Sequence, residues 1–250
     1  MNQKTYESWK REEQEPFRGW DFSHLEGRFL EEDDPPGNYM SMARELLTSS
    51  VAALDIGTGG GERLVQLGSL PARIAATEGY PPNFSESKKR LEPLGVEVVQ
   101  ALEGGSLPFP SSHFDLVLDR HAGFDPQEVV RVLSPGGTFL TQQVGSDNLT
   151  DLRAEFGVES QADEWNLSIA KDQVNSVGLI ANYEDAWVGR ARIKDIGALV
   201  YFLKAIPWIV PGFSVDRDLE ILERLHAKLK GRIYLEYVET RFILRAIKLA

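Results

Sequence analysis

The sequence predicts a three-layer α/β fold: a seven-stranded, mostly parallel sheet covered by helices, with a helical arm in front. Three observations carry that expectation. Short apolar runs alternate with helix-length segments between residues 51 and 145, the rhythm of parallel strands buried on both faces. The first run ends in a glycine cluster, Gly57-Thr58-Gly59-Gly60-Gly61, and leads straight into a helical pattern. Two later strand-like runs, 182–188 and 237–244, complete the sheet.

The elements follow in order. Residues 51–56 are the first strand, and 62–70 a helix with Leu64, Val65, Leu67 and Leu70 at helical spacing. Residues 73–77 are the second strand. A helix over 83–94 opens after Pro81-Pro82, where proline is tolerated. Residues 96–99 and 114–118 are the third and fourth strands. A short helix, 126–133, is stopped by Ser134-Pro135-Gly136-Gly137 before the fifth strand, 138–141. Helices are expected over 149–156, 168–177, 193–206 and 219–229; the last places Leu219, Ile221, Leu222, Leu225 and Leu229 on one face. Residues 1–50 form an arm or lid, and 51–250 one domain, divided at 145.

Composition narrows the function. Hydrophobic residues are 42% and charged residues 26% of 250, enough for a real core. No stretch reaches the ~18 apolar residues of a membrane span, and the first twenty residues lack the apolar centre of a secretory signal. A cytoplasmic location is therefore expected. The absence of cysteine excludes thiolate metal sites and cysteine nucleophiles, and the spacing of His and carboxylates suggests no metal site. The net charge of −11 disfavours nucleic acid as a partner. Ten acids against five bases fall in residues 1–40, whereas residues 146–250 are near balance, with 16 acids and 14 bases. Oligomeric state is not legible.

The glycine cluster is the sharpest feature. A strand running into bare backbone lets a ligand approach the strand end closely. Glu78 ends the next strand, 21 residues after Gly57, where a carboxylate accepts hydrogen bonds from ribose hydroxyls. Nicotinamide dinucleotides and S-adenosylmethionine both satisfy that much. A dehydrogenase lacks a Tyr-x-x-x-Lys or comparable hydride-transfer set here.

Leu54-Asp55-Ile56-Gly57-Thr58-Gly59-Gly60-Gly61 resembles the first motif of class I S-adenosylmethionine-dependent methyltransferases. The run from Leu107-Pro108-Phe109-Pro110 to Phe114-Asp115-Leu116-Val117 is similar to the approach to their fourth strand, and Val132-Leu133-Ser134-Pro135-Gly136-Gly137 to the entry of their fifth. The nearest likeness is to the small-molecule branch typified by ubiquinone and menaquinone biosynthesis enzymes. The resemblance covers the middle block and not the ends. It implies a Rossmann-like methyltransferase fold with a cofactor half at 51–145, an acceptor-side elaboration at 146–250, and S-adenosylmethionine as cofactor. It implies that Asp55, Gly57 and Gly59 line the methionine portion, that Glu78 binds the ribose, that Tyr80 lies against the adenine, and that Thr58 and Gly79 also belong to the cofactor site. Glu103 and Gly104 stand where relatives carry Asp-Ala near the adenine amino group, so that assignment departs from the pattern.

His121 and Arg120 follow the fourth strand, at the end where ligands gather in such sheets. Histidine titrates near neutrality and suits a general base; arginine suits an anionic acceptor. Each has a plain structural alternative, a hydrogen-bonded loop histidine and an ion-paired arginine. Arg18 and Arg28 are within possible reach of the cofactor carboxylate. Trp20 and Tyr39 in the front block, and Tyr201, Trp208 and Phe213 in a proline-broken aromatic segment, are candidates for the wall of an acceptor pocket, or else core. Methyl transfer to a small molecule is the leading reading. An RNA-base methyltransferase and a non-catalytic protein binding S-adenosylmethionine or S-adenosylhomocysteine are the alternatives.

Overall fold

A computed structural model of the chain describes residues 3–17, 20–31, 38–159 and 164–249. Its elements are α1 Gln3–Gln14, β1 Phe29–Glu31, α2 Tyr39–Ser49, β2 Ala52–Ile56, α3 Glu62–Gln66, β3 Arg73–Glu78, α4 Pro81–Leu91, β4 Glu97–Gln100, β5 Phe114–Arg120, α5 Pro126–Val132, β6 Leu133–Val144, α6 Thr150–Glu155, α7 Leu167–Ser176, β7 Leu179–Ile193, α8 Ile196–Ala205, α9 Leu219–Leu229 and β8 Leu235–Lys248. All seven expected strands form. The described strands number eight, because the three-residue β1 pairs antiparallel with β7, Phe29 opposite Ile193.

The chain divides into two compact units. The larger holds Asp34–Gly145, Trp165–Trp187 and Arg241–Ala250, and the smaller Met1–Asp33, Ser146–Glu164 and Val188–Thr240. One break between the units falls at the expected residue 145, and none falls at residue 50. α2 belongs to the larger unit, and α1 packs on α8 in the smaller.

In the larger unit β2 lies between β3 and β5, all parallel. β4 extends the β3 side, β6 the β5 side, and β8 runs antiparallel to β6. The side-chain period of two, with both faces covered, explains why the middles of these strands are apolar at successive positions. Leu54, Val117 and Phe139 join one buried cluster, with Val129 and Val132 of α5. Their neighbours Ala53, Leu116, Leu118 and Leu140 join another, with Leu47 and Leu91. Helix starts are set by caps: the Asp125 carboxylate accepts from the Gln127 N–H at 2.9 Å, and Asn166 from the Ile169 N–H at 3.0 Å. Two expectations shift. α3 stops at Gln66 rather than 70, because Gly68 turns left-handed at φ +90° and ends the helix. Ser134 to Gly137 start β6 rather than a separate loop; the register with β5 jumps between Phe114 and Leu116, a bulge that absorbs them.

The Leu107-Pro108-Phe109 stretch is pinned by α5. Arg131 donates to the Phe109 carbonyl at 2.7 Å and the Leu107 carbonyl at 2.8 Å, and Glu128 accepts the Leu107 N–H at 2.7 Å.

The smaller unit has its own core, where Trp9, Leu25, Leu152, Leu199, Leu203, Leu222 and Leu225 pack together. Arg28 is its electrostatic tie. Its guanidinium donates to both Asp195 oxygens, at 2.7 and 2.9 Å, and to Glu12 at 2.7 Å, while Asp195 also caps α8 through the Ala198 N–H at 2.8 Å. Arg28 is thus committed inside this unit, not to a cofactor carboxylate. Burial opposes the charged forms of Glu12 and Asp195, but Arg28 prevails and holds both below the ordinary carboxylate range. Replacing Arg28 by Ala is expected to cost about 1–2 kcal/mol in urea unfolding at neutral pH. Because both folded-state pKa values are depressed, that difference is present above the unfolded value of about 4 and shrinks as pH falls below it. A difference that stays constant down to pH 3 contradicts the assignment.

Candidate active site

The candidate site is built where the chain reverses its direction of progress across the sheet. From β2 the chain moves outward to β3 and β4, then returns to β5 on β2's other side. Such a switch point leaves a crevice beyond the strand ends.

The glycine loop lies over the end of β2. Gly57 and Gly59 have φ of +63° and +62°, a region that costs an L-residue energy. Space is also lacking: a β-carbon on Gly57 would stand 2.3 Å from that of Ala122. The loop after β2 therefore rests on the loop after β5. It is held at its base, where the Thr58 N–H donates to the Thr77 carbonyl at 2.9 Å and the Gly57 N–H to Thr77 Oγ1 at 3.3 Å. Arg90 of α4 pairs with Glu62 at 2.6 Å and also donates to the Gly60 carbonyl.

Glu78 ends β3 nearly buried, its carboxylate accepting the Tyr80 N–H at 2.8 Å. Burial raises its pKa and Glu103 adds to the rise, while the amides of Tyr80, Gly59 and Gly79 oppose it. Gly79 passes so close to the next loop that a β-carbon would meet the Ala101 carbonyl at 2.8 Å. Tyr80 leaves its ring exposed. The Gly123 N–H donates to Glu103 at 3.3 Å and the Gly104 N–H to the Gly123 carbonyl at 3.0 Å, joining the loops after β4 and β5.

Between these loops the strand ends carry charge. Burial pushes Asp55 up to about 7, although the Thr58 hydroxyl and Arg120 pull it down. Asp119, wholly buried at the end of β5, accepts from Thr141 Oγ1 at 3.1 Å and Gln143 Nε2 at 2.6 Å, and burial holds it well above its ordinary value. Arg120 Nε donates to Gln142 Oε1 at 2.8 Å. His121 sits in the left-handed region at φ +64°, and its N–H donates to the Gln142 carbonyl at 2.8 Å. The residue is exposed. The neighbouring Arg120, Arg241 and Arg63 oppose its charged form and lower its pKa from the usual histidine range.

The larger unit thus gathers Asp55, Gly57, Thr58, Gly59, Glu78, Gly79, Tyr80, Glu103, Gly104, Arg120 and His121 at the ends of neighbouring strands. Tyr39 is in the same unit but is buried with Ala43 and Leu47, a core position from which its phenol senses Asp55 and Asp119. The other aromatic candidates lie in the smaller unit. Phe213 is buried against Phe156, and Tyr201 is nearly buried in the same core. Trp20 and Trp208 are exposed and meet edge to face at 6.0 Å. Arg18 lies outside the described residues. Sequence reasoning missed the buried polar set of Asp119, Thr141, Gln142 and Gln143, and the loop anchor Arg90. The available signal was polar residues standing inside or directly after apolar strand runs.

Residues 54–141 match the family model for a methyltransferase domain. A stretch of 109 residues, 42% of the chain, is 29% identical to a protein-L-isoaspartate O-methyltransferase of Chlorobaculum parvum and spans half of that relative's length. The fold matches the YcgJ protein of Bacillus subtilis with a TM-score of 0.61 at 17% identity, over 86% of this chain and 100% of that one. It also matches the [4+2]-cyclase SpnF with a TM-score of 0.53 at 15% identity, over 84% and 80%. Those two likenesses establish the fold, and the second belongs to a protein named for a different reaction.

The contact between Gly57 and Ala122 is directly testable. Gly57→Ala is expected to lower stability by about 2–4 kcal/mol, from positive φ and steric overlap together. Adding Ala122→Gly should restore the steric part but not the part due to φ, so urea midpoints should place the double variant between Gly57→Ala and wild type. Equal midpoints for the single and double variants would remove Ala122 from the account.

Proposed function

From the premise that the chain carries the methyltransferase domain of class I S-adenosylmethionine-dependent enzymes, we propose that it transfers a methyl group from S-adenosylmethionine to a small-molecule acceptor. The observation that carries the reading is the convergence of the glycine loop, Asp55 and Glu78 at the switch point. The chain's own chemistry fits this cofactor. Asp55 is a desolvated carboxylate poised near neutrality, which a cationic ligand would stabilise in its ionised form. Asn83 Oδ1, Asp119 Oδ2 and Gln142 Nε2 are buried without hydrogen-bond partners among the described residues, and such groups seek polar contacts. Asp55, Gly57, Thr58 and Gly59 would hold the methionine portion, Glu78 the ribose, and Gly79, Tyr80, Glu103 and Gly104 the adenine end. Bound there, the cofactor supplies an activated methyl on a positively charged sulfur.

The protein's task is then chiefly positioning. His121, exposed and with its pKa lowered by the arginines around it, is placed to take a proton from an acceptor's hydroxyl, amine or acidic carbon through its imidazole. Arg120, steadied by Gln142, orients an acidic acceptor. The acid excess of the chain favours a small acceptor over RNA.

Calorimetric titration with S-adenosylmethionine, followed by a labelled methyl-transfer screen against metabolite extract and total RNA, tests the reading. No heat at millimolar cofactor overturns it. Transfer to RNA alone favours an RNA methyltransferase, and binding with no transfer a regulatory protein. Asparagine tolerates the left-handed conformation, so His121→Asn removes the base and keeps the backbone. It should lower kcat by about 10²–10⁴ while cofactor Kd changes by less than about threefold; parallel loss of both contradicts a base.

Asp55 gives a separate prediction. Its pKa near 7 means that cofactor affinity should fall as pH drops from 8 to 6, by up to about tenfold per unit below 7. Asp55→Asn should flatten that dependence. For an acid whose folded pKa is raised, the native state binds the extra proton between about pH 4 and 7, so stability from this group is lost as pH rises. The Asn variant without cofactor should therefore gain melting temperature relative to wild type at pH 8 and not at pH 4. An unchanged gap between the two pH values counts against a raised Asp55.

A further inference from the structure

The smaller unit contains a cavity of about 510 Å³ between the end of α9 and the start of β8. Lys228, Arg232, Ile233, Tyr234, Glu236 and Tyr237 are among the residues that line it. Tyr237 carries the first sign of a ligand. It is all but 3% buried, and its hydroxyl is buried with no hydrogen-bond partner among the described residues. A buried hydroxyl left so is costly. Burial raises its pKa, and Glu155 and Asp151 add to the rise against Arg224, so the phenol keeps its proton and stands as a donor. Glu155 also pairs with Lys228 at 2.6 Å. The phenol and the Lys228 ammonium thus lie by one carboxylate, and both residues border the cavity.

Arg232 carries the second sign. It is exposed in the turn before β8, where its main-chain N–H donates to the Leu229 carbonyl at 2.9 Å. Its guanidinium makes no hydrogen bond or ion pair among the described residues. The acids nearby are already engaged. Glu236 meets Arg192 at 2.9 Å and Arg190 at 3.9 Å. Glu155 meets Arg224 at 3.1 Å as well as Lys228. Asp151 accepts the Val238 N–H at 3.0 Å and the Leu152 N–H at 2.9 Å.

Two donors without acceptors therefore border one cavity, beside an ammonium. Donors from three side chains suit a group with several negative oxygens. A phosphate monoester offers three strong acceptor oxygens and a charge of about −1.5 to −2, more than a carboxylate brings. The flank of the cavity is apolar. Arg192 lies over the Tyr234 ring at 5.2 Å, and Ile233 next to it is 78% exposed. Together the ring and the isoleucine can cover the apolar part of a ligand.

We propose that this cavity binds a phosphate monoester carried on a small, flat apolar body. Arg232 and Lys228 hold the phosphate, the Tyr237 hydroxyl donates to one of its oxygens, and Tyr234 with Ile233 covers the body. The site is independent of the methyl-transfer reading, because it draws only on residues of the smaller unit.

Phenyl phosphate, benzoate and benzylamine make the test, since they share a ring and differ in charge. Each is titrated calorimetrically into the full chain at neutral pH and about 150 mM salt. Phenyl phosphate should bind with a submillimolar Kd, benzoate at least about fivefold more weakly, and benzylamine not measurably up to about 10 mM. Arg232→Gln should weaken phenyl phosphate by about tenfold, and Lys228→Gln and Tyr237→Phe by about threefold each. Without ligand, Tyr237→Phe should melt no lower than wild type, because the hydroxyl it removes has no partner. A lower melting temperature gives that hydroxyl a partner within the protein and overturns the proposal. So does the absence of phenyl phosphate heat up to about 10 mM, equal affinity for benzoate or benzylamine, or any of the three variants binding like wild type. Cofactor titration of the same sample reports separately on the methyl-transfer reading, because either ligand can bind while the other fails.

Discussion

The larger unit depends on how closely the backbone after β2 approaches the loop after β5. With only 2.3 Å between an added β-carbon at Gly57 and the Ala122 methyl, the residue at 57 has to be glycine. The two loops then close on each other, and neighbouring strand ends meet without intervening side chains. Everything placed at the crevice inherits that geometry. Ala122 follows His121, so the same contact fixes where the imidazole stands. Gly79 repeats the device one strand further out, against the Ala101 carbonyl. Neither contact adds much stability of its own. Their effect is positional, since bare backbone admits a ligand where a side chain would exclude it.

Close approach brings the carboxylates together in a poorly solvated place. Asp55, Glu78 and Asp119 stand at the ends of three adjacent parallel strands, and burial raises all three. A protein selected for stability alone would not collect acids there. They are tolerated because amides and side-chain donors partly satisfy them: Tyr80 on Glu78, and Thr141 with Gln143 on Asp119. The remaining deficit is what a cation can relieve. This is the familiar exchange of stability for function at a site, and it gives the glycine loop its electrostatic meaning.

The strands were legible because parallel strands buried on both faces leave short, mostly apolar runs, and the centres of 52–56, 73–78 and 114–120 read that way. The glycine loop was legible for a related reason: a glycine cluster after a strand marks a tight turn and close backbone approach, and Gly57, Gly59 and Gly61 adopt the left-handed conformation there. What escaped lacked a periodic signal. β1 is three residues long, too short to show an alternation. Asp119, Gln142 and Gln143 sit in strands whose apolar neighbours mask them, and only the paired strands show that they meet. α3 was overcalled because Leu67 and Leu70 continue a helical spacing that Gly68 interrupts.

The aromatic residues failed as a signal for a different physical reason. Tyr, Trp and Phe serve both core and binding surface, so the segment around 200–213 could not be sorted by composition. Packing sorts it: Phe213 goes to the core, Trp208 to the surface, and Tyr201 to the boundary, with its ring buried and its edge on a cavity. The acidic front block sorts in the same way. Glu12 is held by Arg28, and Glu13 by Lys10 and the Val215 N–H, so these acids tie α1 to its unit. Part of the acid excess that reads as a bulk property of the sequence is therefore structural, taken up by cations and an amide of the same unit.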